Sequence, residues 1–200
     1  MRRILLLCFV FSVTLLNFCD RVKEPYAPTD LENYGIIGNK ILTPDEKYLY
    51  RLVLNKNQPD DQKIMLVSDT TVYEDFSDRL DNIYTQLPAL SPETVQNYFL
   101  RNQDKGVIDR LPFDNKNFLL VSWDVSKKVY IDANNQSYEL RDPGIYGILS
   151  LSYIGFNESK TQAVVSVVDY GAPLNAVSYL VFFVKDKEWS IRQQILLWIS

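Results

Sequence analysis

The sequence predicts an α+β domain in which N-terminal helices cover a twisted antiparallel sheet of about four to six strands, built mainly as a C-terminal meander. Three observations carry this expectation. Apolar residues recur at helical spacing through the first half, most clearly at Phe76, Leu80, Ile83, Tyr84 and Leu87. After Gly106 the pattern changes to short runs rich in β-branched and aromatic residues, bounded by turn-forming residues. The last four runs are joined by brief connections, which antiparallel neighbours can use and parallel ones cannot.

Taken in order, the elements begin at Thr43. Thr43 and Glu46 have capping-box spacing, and the fixed φ of Pro44 suits the first helical position. A helix is expected there with Leu49, Leu52 and Val53 on its apolar side, although 48–54 also alternates as a strand would. Ile64 to Val67 form a short apolar run flanked by charged and turn-forming residues, the pattern of a buried strand. The helical run from Phe76 stops at Pro88, and Ser91 with Pro92 restarts a helix that presents Val95, Tyr98 and Phe99 and frays near Asn102. These two helices are expected to cover one face of the sheet. A strand over 118–123 precedes a polar stretch, 124–144, that reads as a long loop with room for a helical turn.

Four strands then follow over 148–156, 161–170, 177–185 and 188–199. The third is apolar on both faces from Val177 to Val184, as a central strand would be. In the last, Trp189, Ile191 and Ile195 are expected on one face, with Ser190, Arg192 and Gln194 on the other. Its end, Ile195 to Trp198, is apolar on both faces and suits a segment sandwiched between sheet and helices.

The N-terminus points to a compartment. Arg2 and Arg3 precede a mostly apolar run from Ile4 to Leu16, the pattern of a signal peptide. A bilayer span needs about 20 apolar residues, more than this run supplies before Asp20 and Arg21. Leu16, Asn17, Phe18 and Cys19 resemble a lipobox, with Cys19 as the lipidated first residue of the mature chain; Phe18 departs from the small residue usual there. The expected organisation is a signal peptide over 1–18, a tether over 19–34 carrying Pro25 and Pro28, and one domain over 35–200. The expected location is the cell envelope, held by a lipid anchor, with periplasmic release or secretion as the alternative.

Composition narrows the chemistry. Both cysteines, Cys8 and Cys19, lie at or before the lipobox, so the mature domain has no intramolecular disulfide and no cysteine nucleophile. There is no histidine. That removes His-based triads and His-ligated metal sites. The net charge is −4, and losing Arg2 and Arg3 takes it two units further. Without a basic block, nucleic-acid binding is disfavoured. Gly144, Gly147, Gly155 and Gly171 form neither a P-loop nor a dinucleotide fingerprint, and no cofactor is expected.

The stretch Tyr146 to Asn157, then Gln162-Ala163, then Tyr179 and the closing 189–200, resembles a family of uncharacterised bacterial exported proteins. Leu90-Ser91-Pro92-Glu93-Thr94 extends the resemblance, which covers roughly 63–200. The loop Gly171 to Ala176 departs from the glycine-rich form of that family. The resemblance implies an exported lipoprotein with a C-terminal meander, and it supplies no activity and no catalytic residues.

With Cys and His excluded, carboxylates remain for acid–base chemistry. Asp69, Asp124 and Asp169 stand at or just beyond the ends of apolar runs, where a pair facing one groove could hydrolyse a glycosidic bond. Each is more simply a solvated residue at a strand end, and no Gly-x-Ser-x-Gly elbow or Ser-x-x-Lys offers a serine alternative. The aromatics Trp123, Tyr130, Tyr138, Tyr146, Tyr153, Tyr170, Tyr179, Trp189 and Trp198 could stack on sugars or peptides, but strands also use such rings for packing. The resulting expectation is a non-catalytic module for a protein, peptide or glycan ligand. The alternative is an extracytoplasmic Asp/Glu hydrolase.

Overall fold

The computed structural model describes residues 36–39, 41–59, 63–111, 115–126, 128, 144–172 and 175–200. Cys19, the leader, the tether and most of the 124–144 stretch lie outside them. The described residues belong to one unit, Leu31–Ser200, and form an α+β fold. In chain order these are β1 (Ile36–Asn39), α1 (Pro44–Lys56), β2 (Ile64–Ser68), a 3-10 turn (Ser77–Arg79), α2 (Leu80–Gln86), α3 (Pro92–Arg101), β3 (Lys105–Val107) and β4 (Phe118–Val121). The second half adds β5 (Ile145–Leu151), β6 (Gly155–Phe156), β7 (Gln162–Ala172), β8 (Asn175–Lys185) and β9 (Trp189–Ile199). Among these residues no helix is long and apolar enough to cross a membrane.

Helix starts follow the capping residues. Thr43 accepts from the Glu46 amide while the Glu46 carboxylate accepts from the Thr43 amide, and Ser91 accepts from Thr94, so orphan amides of the first turns of α1 and α3 are satisfied. Caps of this kind contribute about 1 kcal/mol each.

The main sheet has seven strands in the order β4-β2-β5-β7-β8-β9, with β6 also paired to β7, and β1 and β3 form a separate parallel pair. The meander from β5 to β9 is antiparallel as expected. The N-terminal part of the sheet is mixed, since β2 runs parallel to both β4 and β5. The chain leaves β2 through α2, α3 and β3 before returning as β4, and so long a crossover brings it back in the same direction.

The helices divide between the two faces instead of sharing one. Leu49, Tyr50, Val53 and Leu54 of α1 pack with Met65, Val67, Leu149, Leu151, Val165, Val181 and Phe183 on the first face. Ile83, Leu87, Val95 and Tyr98 of α2, α3 and their flanks pack with Val164, Leu180, Phe182 and Ile195 on the second. Both faces of the central strands are therefore buried, and β7 and β8 read as nearly continuous apolar runs for that reason.

What was expected as one strand over 148–156 is broken between Leu151 and Gly155. The break is held by side chains. Asn102, at the C-cap of α3, donates to the Tyr153 carbonyl (3.0 Å) and accepts from its amide (2.7 Å), replacing a neighbouring strand. Asn97 accepts from the Phe156 amide (2.9 Å), and the Tyr50 hydroxyl donates to the Ser152 carbonyl (2.8 Å). Gly155 lets α3 approach: a Cβ there would lie 2.5 Å from the Tyr98 backbone.

The last strand also departs from simple alternation. Phe182 pairs with Gln193 and Phe183 with Ile191, leaving Arg192 as an extra residue, and a second irregularity falls near Leu197. Each bulge moves the following residues to the opposite face. Trp189 and Ile191 therefore join the α1 core while Ile195 and Leu197 join the other. The expected sandwiching of 195–198 is one-sided, because Leu196 is exposed.

Candidate functional site

The three acids singled out by sequence are placed differently. Asp69, just after β2, is buried and accepts from the Thr70 hydroxyl (3.0 Å) and the Trp123 amide (3.1 Å), tying the end of β2 to the helical turn at 123–126. Asp124 lies half-buried in that turn. Asp169 sits on β7, on the far side of β5 from β2, so two strand spacings, roughly 10 Å, separate the strands behind it and Asp69. Neither Asp69 nor Asp124 is brought to Asp169 by a hydrogen bond among the described residues.

Three of the aromatics singled out by sequence have structural partners. Trp189 is buried and donates to Asp45 (2.9 Å), Trp198 donates to Glu74 (2.7 Å), and Tyr153 is buried against Gly106. Tyr98 is fully buried, bonded to Ser166 (2.9 Å), and its hydroxyl is pushed up to about 12 by burial. Tyr130 and Tyr138 lie outside the described residues.

Asp169 has a different setting. Helix α1 runs along the first face from Trp189, which its Asp45 meets, to Tyr179, whose hydroxyl donates to Asn57 (2.6 Å) at the helix C-cap. The strands continue beyond that cap. Opposed residues on paired strands share a face, so Leu149, Asp169, Val177 and Ile199 form one row across β5, β7, β8 and β9. Leu151, Val167, Tyr179 and Leu196 form the next. Exposure rises along both rows toward the β9 edge: Leu149 and Leu151 are buried, Val177 and Tyr179 are half-buried, and Ile199 and Leu196 are 65% and 55% exposed. The result is an apolar shelf with one acid in it.

One oxygen of that acid, Oδ1, is buried and has no hydrogen-bond partner among the described residues. Burial raises its pKa, with no cation among the described residues offsetting the effect. Tyr179 is raised as well, first by its own burial and then by the neighbouring Asp169 charge, against a smaller opposing effect of the Asn57 hydrogen bond. A neutral phenol therefore stands beside a carboxyl group whose Oδ1 lacks a donor among the described residues.

The chain matches no protein-family model, and no curated protein or solved structure matches it. The site is thus read from its own chemistry. The residues that carry the resemblance to exported proteins have structural partners: Gln162 accepts from the Ser91 amide (2.8 Å) and donates to the Ala89 carbonyl (2.8 Å), fastening the start of α3 to the β6–β7 hairpin. Among the described residues, no group of three or more acidic or Cys/His side chains could hold a metal ion.

The sequence brought Asp169 forward for its place near a strand end, but gave no sign of Val177, Tyr179, Leu196 and Ile199 as its surroundings. Leu196 and Ile199 belong to a run that looks core-facing throughout, and only the bulges of β9 turn them outward. Two other buried hydroxyls, those of Ser150 and Ser178, also lack partners among the described residues. They sit on the opposite face in one row with Val168 between them, about two strand spacings apart, too far to grip one small group together.

Proposed function

We propose that this chain is an exported, envelope-associated lipoprotein anchored through Cys19, and that its α+β domain binds a protein, peptide or glycan ligand without transforming it. The observation that carries the reading is the apolar shelf beyond α1, where Leu196 and Ile199 stand exposed on the same face as the unpaired Oδ1 of Asp169, two strands away. Exposed apolar side chains grouped on one face mark interaction surfaces more often than isolated ones do. The leader and tether supply the anchorage this reading needs. Hydrolysis by paired acids finds less support, because Asp69 is committed to Thr70 and Trp123.

An array of peptides and glycans probed with the purified full chain tests the binding claim. Ligands should be retained by the wild type and lost, by roughly tenfold or more, in a Leu196→Asp, Ile199→Asp double variant, while its melting temperature moves little because both side chains are exposed. Undiminished binding by the variant, or turnover of a bound glycan, would refute the proposal.

A further inference from the structure

Leaving a carboxylate oxygen buried without a donor is costly, and a fold tolerates it most readily where the missing partner arrives with a ligand. Asp169 is in that position. Four features define the partner. A carboxylate only accepts hydrogen bonds, so the partner donates. No cation among the described residues acts on Asp169, and the acidic balance of the chain favours a positive visitor. Oδ1 itself is covered, but Asp169 as a whole is only half-buried, and the residue nearest its carboxyl along the strand is the exposed Gly171, where an added Cβ would stand 3.5 Å from Oδ1. The surroundings are apolar and aromatic: Val177, Tyr179, Leu196 and Ile199.

A charged tip on a long apolar stem fits all four. Lysine and arginine lay their methylenes on apolar surface while their heads find an anion, and a neutral aromatic ring beside that anion adds a favourable face. We propose that Asp169 receives the ammonium or guanidinium tip of a basic side chain from a bound peptide, whose stem lies on Val177, Leu196 and Ile199. This rests on the shelf being a binding surface, as proposed above.

The test uses the nitrogen-15-labelled full chain in detergent micelles, followed through the amide signals of Asp169, Val177, Tyr179 and Ile199. The probes are n-pentylammonium, the uncharged 1-pentanol, and a blocked Leu-Lys-Leu tripeptide. Pentylammonium should shift these signals saturably and bind roughly tenfold tighter than pentanol, as a hydrogen bond between charged groups would give. The tripeptide should bind tighter still. Asp169→Asn should abolish the preference for the cation, and Gly171→Val, which keeps the carboxyl but blocks its approach, should do the same. Equal binding of pentylammonium and pentanol overturns the cation assignment and leaves the shelf intact as a binding surface. A tripeptide no tighter than the free amine overturns the peptide assignment. No shift with any probe removes the inference and the shelf reading together.

Discussion

Asp169 shows how one residue can work against the stability of its own fold. Its carboxyl is held above its ordinary value by burial alone, and Glu74, half-buried beside Tyr98 and Trp198, is raised for the same first reason, with the Trp198 hydrogen bond opposing. A folded-state pKa above the unfolded one means that the folded protein holds the proton more tightly. The associated stability is fully present below the unfolded pKa and is lost as pH rises through the folded one. Asp169→Asn should therefore match the wild type at pH values below the ordinary aspartate value of 3.8, and become the more stable protein as pH rises through the raised pKa. The gain near neutrality should reach about 1 kcal/mol, the low end for an unpaired buried polar group. Urea midpoints across the acid range measure this directly; an asparagine variant less stable at neutral pH would show that the carboxylate has a partner after all. Asp45 behaves in the opposite sense. Burial raises it, but hydrogen bonds from Trp189 and Lys185 and the charges of Lys185 and Lys160 outweigh burial, so its pKa is lowered and its contribution is lost as pH falls.

At the scale of elements, α3 is the piece most tightly specified. It is capped by Ser91, fastened at its start by Gln162, and meets the broken strand through Asn97, Tyr98 and Asn102. Next to it, the buried Glu46 of α1 is ion-paired with Arg101 at the end of α3, joining the two helices. The position that permits this packing is Gly155. Gly155→Ala would push a methyl group into the Tyr98 backbone, which cannot move aside as a flexible side chain would. A loss of about 3 kcal/mol is expected, at the upper end for overpacking. A urea midpoint within error of the wild type would contradict the close approach of α3. Much of this scale was legible in the sequence, because caps act locally: Thr43 with Glu46 and Ser91 with Pro92 set helix starts whatever the tertiary context. The parallel pairing of β2 and the extra residue at Arg192 were not, since long-range pairing decides both, and alternation read within one strand carries no trace of its partner's register.

For the whole molecule, the fold class followed from the change of periodicity near Gly106, while the division of helices between two faces did not. An apolar stripe says that a helix is covered, not which side of a sheet covers it. The same ambiguity hid the candidate site. Asp169 was visible as an acid near a strand end, but the shelf is produced by where α1 stops relative to β8 and β9, a relation among elements distant in sequence. In the picture proposed, a lipid at Cys19 would hold the domain at the envelope, and the end of the sheet beyond α1 would meet the ligand. Photo-crosslinking in intact cells tests that picture most directly, with a photoreactive residue placed at Ile199 and, as a control, at Arg51, which is exposed on α1. The account predicts a discrete envelope adduct at position 199 that disappears in the Asp169→Asn background, and none at position 51. Equal labelling at the two positions, or an adduct at 199 indifferent to Asp169, would contradict it.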